Sequence, residues 1–204
     1  MAALRPYRSS DLGALYDICL RTGDSGADAS PLHNEPKLLG HFYAAPYGVL
    51  EPDNVLVAED EQGVAGYIVG TFDTKAFEAR LEREWWPALR RHYAGVPEAA
   101  LTEADRMRVA AIRELSLNPE DIVARYPAHI HMNLLPRLRG QRLGTGLLQR
   151  WIEQAKDAEV KGIHLGANAK NSGGIAFWTK SGFTPVATIG RTVWFGMELS
   201  PEGG

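Results

Sequence analysis

Between Pro136 and Gly146 the chain reads Pro-Arg-Leu-Arg-Gly-Gln-Arg-Leu-Gly-Thr-Gly, the stretch whose residue types most plainly imply chemistry. Gly140, Gly144 and Gly146 free the backbone for a tight turn and for close approach by another group. Apolar Leu143, Leu147, Leu148, Trp151, Ile152 and Ala155 then recur at helical spacing, which puts the glycines at a helix N-terminus. Backbone N–H groups there lack intrahelical acceptors and the positive end of the macrodipole lies behind them, so the loop is an anion site. Residues 122–152 hold Arg125, Arg137, Arg139, Arg142 and Arg150 and no Asp or Glu, in a chain of formal net charge −3. A local field opposed to the global one points to a small polyanion, most simply a phosphate-bearing cofactor. The dinucleotide pattern G-x-G-x-x-G is absent and no G-K-[ST] follows the glycines, which disfavours both common nucleotide loops.

Other groups have weaker claims. His129, His131 and Asn133 share one face of a strand by its period of two, with Ile130, Met132 and Leu134 on the other. His131 is a candidate general base because a neutral imidazole titrates near working pH. The H-x-H pair has no third ligand at supportive spacing, so no metal is expected. Asp73 closes a strand, where a carboxylate can act on a substrate; it equally suits the N-cap of the helix that follows. Asp24 and Asp28 lie in a polar, Gly-rich loop and read either as solvated or as partners of a cationic acceptor. Cys19, the one cysteine, falls on an apolar helical stripe and reads as a core thiol, which leaves no intramolecular disulfide and fits a reducing cytosol. Trp85 and Trp86 read as packing residues, with a lid over the acceptor as the alternative.

The elements that must position these groups follow from pattern. A strand is expected over 4–7, then a helix capped by Ser9 or Ser10 and stopped at Gly23, and a short helix over 37–43. Strands over 55–58 and 64–73 are joined by a polar hairpin. Residues 74–127 read as helical, with Pro87 kinking or ending the first helix and a helix over 102–115 opened by the capping box Thr102-Glu103-Ala104-Asp105. A central strand over 128–135 leads into the glycine loop and its helix. Strand 163–167, helix 172–181 and strands 183–189 and 192–199 complete the pattern, with a tail of disordered composition over 200–204. One domain over 1–204 with a helical insertion at 74–127 is the organisation expected. Hydrophobic content of 45% and charged content of 23% are those of a globular protein with a real core. The absence of an apolar leader or spanning run predicts a cytoplasmic protein without membrane contact, and a pI near 6.1 gives no support for nucleic-acid binding.

Gln141-Arg142-Leu143-Gly144-Thr145-Gly146 resembles the [RQ]-x-x-G-x-[GA] pyrophosphate loop of the GNAT acetyltransferase superfamily, after a V-x-P-x-x-R-G-like run from Leu134 to Gly140. A second block over 165–183, with Asn171 heading a helix and Gly182-Phe183 opening a strand, resembles the family in the same order and spacing. Leu4-Arg5-Pro6-Tyr7, Tyr16-Asp17-Ile18-Cys19-Leu20-Arg21-Thr22-Gly23, Gly66-Tyr67-Ile68-Val69-Gly70-Thr71-Phe72-Asp73 and Trp85-Trp86-Pro87 resemble bacterial stand-alone relatives of the acetyltransferase-like C-terminal domain of O-GlcNAcase.

The resemblance implies an α/β (α+β) fold: a mixed, mainly antiparallel central sheet flanked by helices and splayed between the strands at Leu134 and Ile163, with acetyl-CoA in the cleft. It implies cofactor contacts from Leu134, Leu135, Arg139, Gln141, Arg142, Leu143, Gly144, Thr145, Gly146 and Asn171. Leu134 and Leu135 would pair with the pantetheine, the amides of 142–146 would hold the pyrophosphate, and Asn171 would bond the arm. Asp73 and His131 are the catalytic candidates. Trp178 stands where the family usually has the Tyr that protonates the coenzyme A sulfur, and indole cannot serve as that acid. The implied activity is direct acetyl transfer to a primary amine, whether protein lysine, peptide or small amine, with a catalytically weak acetyl-CoA-binding module as the alternative. A homodimer is left open.

Overall fold

The structure, a computed structural model, describes residues 2–114 and 117–199; the expected helix end at Leu115 and the tail over 200–204 fall outside these. Seven strands form one sheet: β1 (Ala3–Pro6), β2 (Leu56–Asp60), β3 (Gly63–Thr71), β4 (Ala128–Leu134), β5 (Gly162–Asn168), β6 (Thr184–Ile189) and β7 (Thr192–Glu198). Their order is β1-β2-β3-β4-β5-β7-β6, antiparallel throughout except where β4 meets β5. The fold is a mixed α/β arrangement with helices on both faces.

Side-chain alternation assigns the faces. Gly70 turns toward α8 (Leu143–Asp157), where an added Cβ would lie 2.7 Å from Trp151, whereas Tyr67 turns toward Cys19 of α1 (Leu12–Arg21). The β3–β4 register pairs Tyr67 with Asn133 and Gly70 with Ile130. Ile130, Met132 and Leu134 therefore share the α8 face, and His129, His131 and Asn133 the α1 face. Trp151, fully buried, anchors α8 by donating from Nε1 to the Asn54 carbonyl at 2.9 Å.

The first helix starts differently from the reading above. Neither Ser9 nor Ser10 caps it; Asp11 accepts the Arg8 N–H at 2.8 Å and pairs with Arg5, fixing a 3-10 turn ahead of α1. α2 (Leu38–Tyr43) is followed by α3 (Ala45–Leu50), a helix the sequence reading did not contain. Between β3 and β4 come α4 (Thr74–Arg80), a π-helical turn over Leu81–Trp85, α5 (Trp86–Ala94), α6 (Glu103–Arg113) and α7 (Glu120–Arg125). Pro87 sits in the first turn of α5, where its missing N–H removes no helical bond. Thr102 and Asp105 complete the capping box of α6. This helical segment packs onto α2 through Leu38, Tyr93, Leu101, Val109 and Ile112. α9 (Ser172–Lys180) joins β5 to β6. No helix among the described residues is long and apolar enough to cross a membrane.

Candidate functional site

β4 and β5 are paired only at Ala128↔Ile163 and His129↔His164, after which each strand runs on without the other. The sheet thus opens into a cleft from Ile130 onward. The Leu135 N–H donates to the Ala65 carbonyl at 2.8 Å, so 135, 133, 131 and 129 are the residues hydrogen-bonded to β3. By alternation the backbone of Met132 and Leu134 faces the cleft instead. This corrects one expected contact: Leu135 has its N–H on Ala65 and its carbonyl on the Leu138 N–H, so it offers no pairing edge. The edge belongs to Met132 and to the Leu134 N–H, the Leu134 carbonyl being taken by Arg139.

At the wide end of the cleft stands the N-terminus of α8. Gly140 (φ 76°) and Arg142 (φ 60°) take left-handed conformations that turn the chain abruptly into the helix. No side chain caps it, and Leu143, Gly144 and Thr145 occupy its first turn, where amides lack helical acceptors. The Gly146 N–H, expected in the same cradle, already donates to the Arg142 carbonyl at 3.0 Å. Gly146 turns toward the sheet, and a Cβ there would lie 2.8 Å from Leu4. Gly144 faces the cleft: its added Cβ would stand 3.5–3.6 Å from Met132, Leu134 and Phe177. The glycine pair thus divides, one opening the cleft and the other admitting β1.

The arginines divide as well. Arg137 pairs with Asp60, Arg125 with Glu198, and Arg150 donates to the Leu4 carbonyl. Arg139 reaches across the cleft mouth, donating from Nε to the Leu134 carbonyl at 3.1 Å and from Nη2 to the Gly26 carbonyl at 2.7 Å. Gly26 belongs to a two-residue hairpin closed by Asp24 and Ala27, whose backbones exchange hydrogen bonds of 3.1 and 2.8 Å. Ser25 (φ 53°) and Gly26 (φ 93°) supply the positive dihedrals of a type I′ turn. A Cβ on Gly26 would lie 3.9 Å from both Arg139 and Asn171, so the hairpin spans both banks. Arg142 and Thr145 are exposed, and Gln141 donates to the Arg137 carbonyl at 2.8 Å. Asn171 caps α9 by accepting the Gly174 N–H at 2.9 Å. Uncapped amides, a bare Gly144, an open strand edge and nearby guanidinium charge fit a diphosphate with an extended amide-bearing arm.

On the α1 face, aromatic and imidazole rings crowd the narrow end of the cleft. Thr74 Oγ1 lies 2.6 Å from the Pro127 carbonyl and 2.7 Å from His129 Nδ1, and Tyr47 Oη lies 2.6 Å from His129 Nε2. Because a carbonyl only accepts, Thr74 donates to it, His129 donates from Nδ1, and Tyr47 donates to Nε2; His129 is neutral. His131 is half-buried against Tyr43 and Tyr47, with ring centroids 5.3 and 5.7 Å away. Desolvation pushes its pKa down to about 4, helped by His164. His164 was read only as part of a strand; it is fully buried, with Nδ1 2.6 Å from the Tyr126 carbonyl and its ring 5.5 Å from His129. Its Nε2 finds no partner among the described residues. The signal that links it to His129 is a strand register, which sequence spacing does not carry.

Asp73, a catalytic candidate, and Trp178, at the position of the family's usual Tyr, sit elsewhere. Asp73 is exposed and caps α4, accepting the Ala76 N–H at 3.0 Å. It lies at the end of the sheet where Thr71 faces His129, and five residues of strand, roughly 17 Å, separate His129 from Leu134. Trp178 is buried between Phe177 and Phe183, and the ring that meets the cleft beside Gly144 is that of Phe177. Neither the phenyl of Phe177 nor the indole of Trp178 carries an acidic proton.

A seven-stranded mixed sheet parted between β4 and β5, with an uncapped helix start at its mouth, defines a GNAT-like fold. The acetyltransferase (GNAT) family profile matches residues 28–183, and the chain belongs to that family. The solved structure of SsHAT is 33% identical, covers 97% of this chain and 98% of its own, and superposes with a TM-score of 0.87. Protein O-GlcNAcase of Rattus norvegicus is 24% identical over 187 residues, 91% of this chain; the chain spans 20% of that relative's length. The PaiA N-acetyltransferase from Thermoplasma acidophilum in complex with coenzyme A, 14% identical with a TM-score of 0.60, covers 98% of this chain and 99% of its own and shares the fold.

Proposed function

We propose that the protein is an acetyl-CoA-dependent N-acetyltransferase that moves the acetyl group to a primary amine by direct attack. The observation that carries this reading is the parting of β4 from β5 directly beside an uncapped α8 N-terminus. The amides of Leu143, Gly144 and Thr145 hold the diphosphate, and the helix dipole adds to them. Arg142 and Arg139 supply positive charge at the mouth. Met132 and Leu134 pair with the amides of the arm, and one of their N–H groups polarises the thioester carbonyl. Bound acetyl-CoA supplies the acetyl group as an activated thioester. His131, neutral and facing the cleft from the α1 side, orients the amine lone pair rather than storing a proton, because burial makes its imidazole a weak base. The ring beside Gly144 is the phenyl of Phe177, which has no proton to give, so the thiolate leaves unassisted; a thiol of pKa about 8.5 can do so.

A second reading is an acetyl-CoA-binding module with little turnover, favoured by Phe177 and Trp178 where an acid would serve. Calorimetric titration with acetyl-CoA, desulfo-CoA and NAD, followed by thiol release over a panel of amines, tests both. The enzyme reading expects tight binding of both coenzyme A compounds, none of NAD, and amine-dependent release. Binding with no release above hydrolysis leaves the module reading, and no binding defeats both.

A further inference from the structure

The α1 face of β4 carries a cation that the fold does not neutralise. Among the described residues the half-buried arginines Arg5, Arg80, Arg90 and Arg137 each pair with a carboxylate, on Asp11 and Glu59, Glu84, Glu82 and Asp60 respectively. Arg108 of α6 is half-buried too and has no such partner there. Its Nη1 donates to the Tyr43 hydroxyl at 2.7 Å, and its guanidinium carbon lies 5.3 Å from the Tyr43 ring centroid and 5.9 Å from that of Phe42. Those rings fix the guanidinium plane and leave Nε and Nη2 without a protein acceptor among the described residues.

The position of this cation is what gives it meaning. Tyr43 meets the His131 ring edge-on at 5.3 Å, so two contacts of that length join Arg108 to β4. Its charge also acts on the Cys19 thiol, which packs against Tyr67, and Tyr67 donates to Asn133 at 3.1 Å. Arg108 therefore stands over the His131–Asn133 stretch, across the strand from α8. Arg108, Tyr43 and His131 are each half-buried, so solvent reaches all of them. A planar fork held against aromatic rings, with donors to spare, is the arrangement that recognises a carboxylate.

We propose that Arg108 binds the carboxylate of the acetyl acceptor, which makes that acceptor a small primary amine bearing a carboxylate, as in a free amino acid. The inference rests on the acetyl-transfer reading above. Holding the carboxylate at Arg108 delivers the amine nitrogen, a few bonds away, to His131 and the open edge of β4. The neutral imidazoles there provide no counter-charge for an ammonium, so the amine reacts in its neutral form. Its nitrogen bonds to the acetyl carbon, the carbon–sulfur bond breaks, and the proton lost from nitrogen balances the one gained by the departing thiolate.

Matched pairs test this on the unaltered protein: phenylalanine against phenethylamine, and lysine against cadaverine, in thiol release and in calorimetric titration of the coenzyme A-loaded protein. The carboxylate member of each pair is expected to bind on the order of ten- to a hundredfold better, expressed in KM rather than kcat. Arg108→Met and Arg108→Lys should both erase that preference, since an ammonium lacks the planar fork. Acetyl-CoA affinity, measured alongside, should stay as it was. Equal or better use of the decarboxylated amines overturns the proposal and leaves acetyl transfer standing. Absence of acetyl-CoA binding, or of release with every amine, overturns the transfer reading and this one with it.

Discussion

Gly144 and Gly146 lie two residues apart and face opposite ways. An indole at Gly144 would fill the space bounded by Met132, Leu134 and Phe177, so Gly144→Trp is expected to weaken acetyl-CoA binding at least a hundredfold with little change in melting temperature. A side chain at Gly146 meets Leu4 instead, so Gly146→Leu should destabilise the fold by about 1–3 kcal/mol and leave the affinity near the original. Calorimetry and thermal melts on the two variants separate the roles; the reverse pattern would show that the cofactor track lies elsewhere. The helix start behind the glycine loop was legible from glycines and helical period. Which glycine opens the cleft was not, because that depends on helix rotation against a strand more than a hundred residues away in sequence. Leu135 departs from its expected contact for the same reason: a motif fixes position along the chain, and packing decides the direction a group takes.

The hairpin over 24–27, read from sequence as an irregular polar loop, is an ordered strap across the cleft mouth. The partner that fixes it, Arg139, lies 113 residues further on and left no local trace. Replacing Arg139 by Ala removes charge-assisted bonds to Gly26 and Leu134, so amide exchange at 24–27 should rise about tenfold or more, with weaker acetyl-CoA binding. Hydrogen exchange with mass spectrometry reads this directly; unchanged protection would mean that the hairpin holds itself. Asp73 offers the opposite lesson, since the N-cap reading available from its sequence position is the role it fills in the structure.

Across the molecule, burial holds four of the six histidines, His41, His129, His131 and His164, below their ordinary pKa. The unfolded chain binds protons at these sites near pH 6.5, while His41 and His131 in the fold wait until about pH 4. The unfolded state therefore gains protons first on acidification, and stability falls as pH drops through 6.5 toward 4. Asp11 and Asp105 are held below the usual carboxylate range, Asp11 chiefly by its Arg5 hydrogen bonds and Asp105 by hydrogen bonds that outweigh desolvation. Their contribution is lost only at lower pH. Melting temperature is expected to decline steadily from pH 7 to pH 5, and a flat profile over that window would refute the buried-imidazole account. The order of strands and helices was largely legible from hydrophobic period and turn residues, whereas α3 and the brevity of the β4–β5 ladder were not, because both are set by tertiary packing. The one cysteine has a practical bearing on every assay above. Cys19 is 3% exposed and its thiol is pushed up to about 11, chiefly by burial. A chromogenic disulfide reagent added to the native protein finds no reactive sulfur on the polypeptide, so the colour it develops counts liberated coenzyme alone.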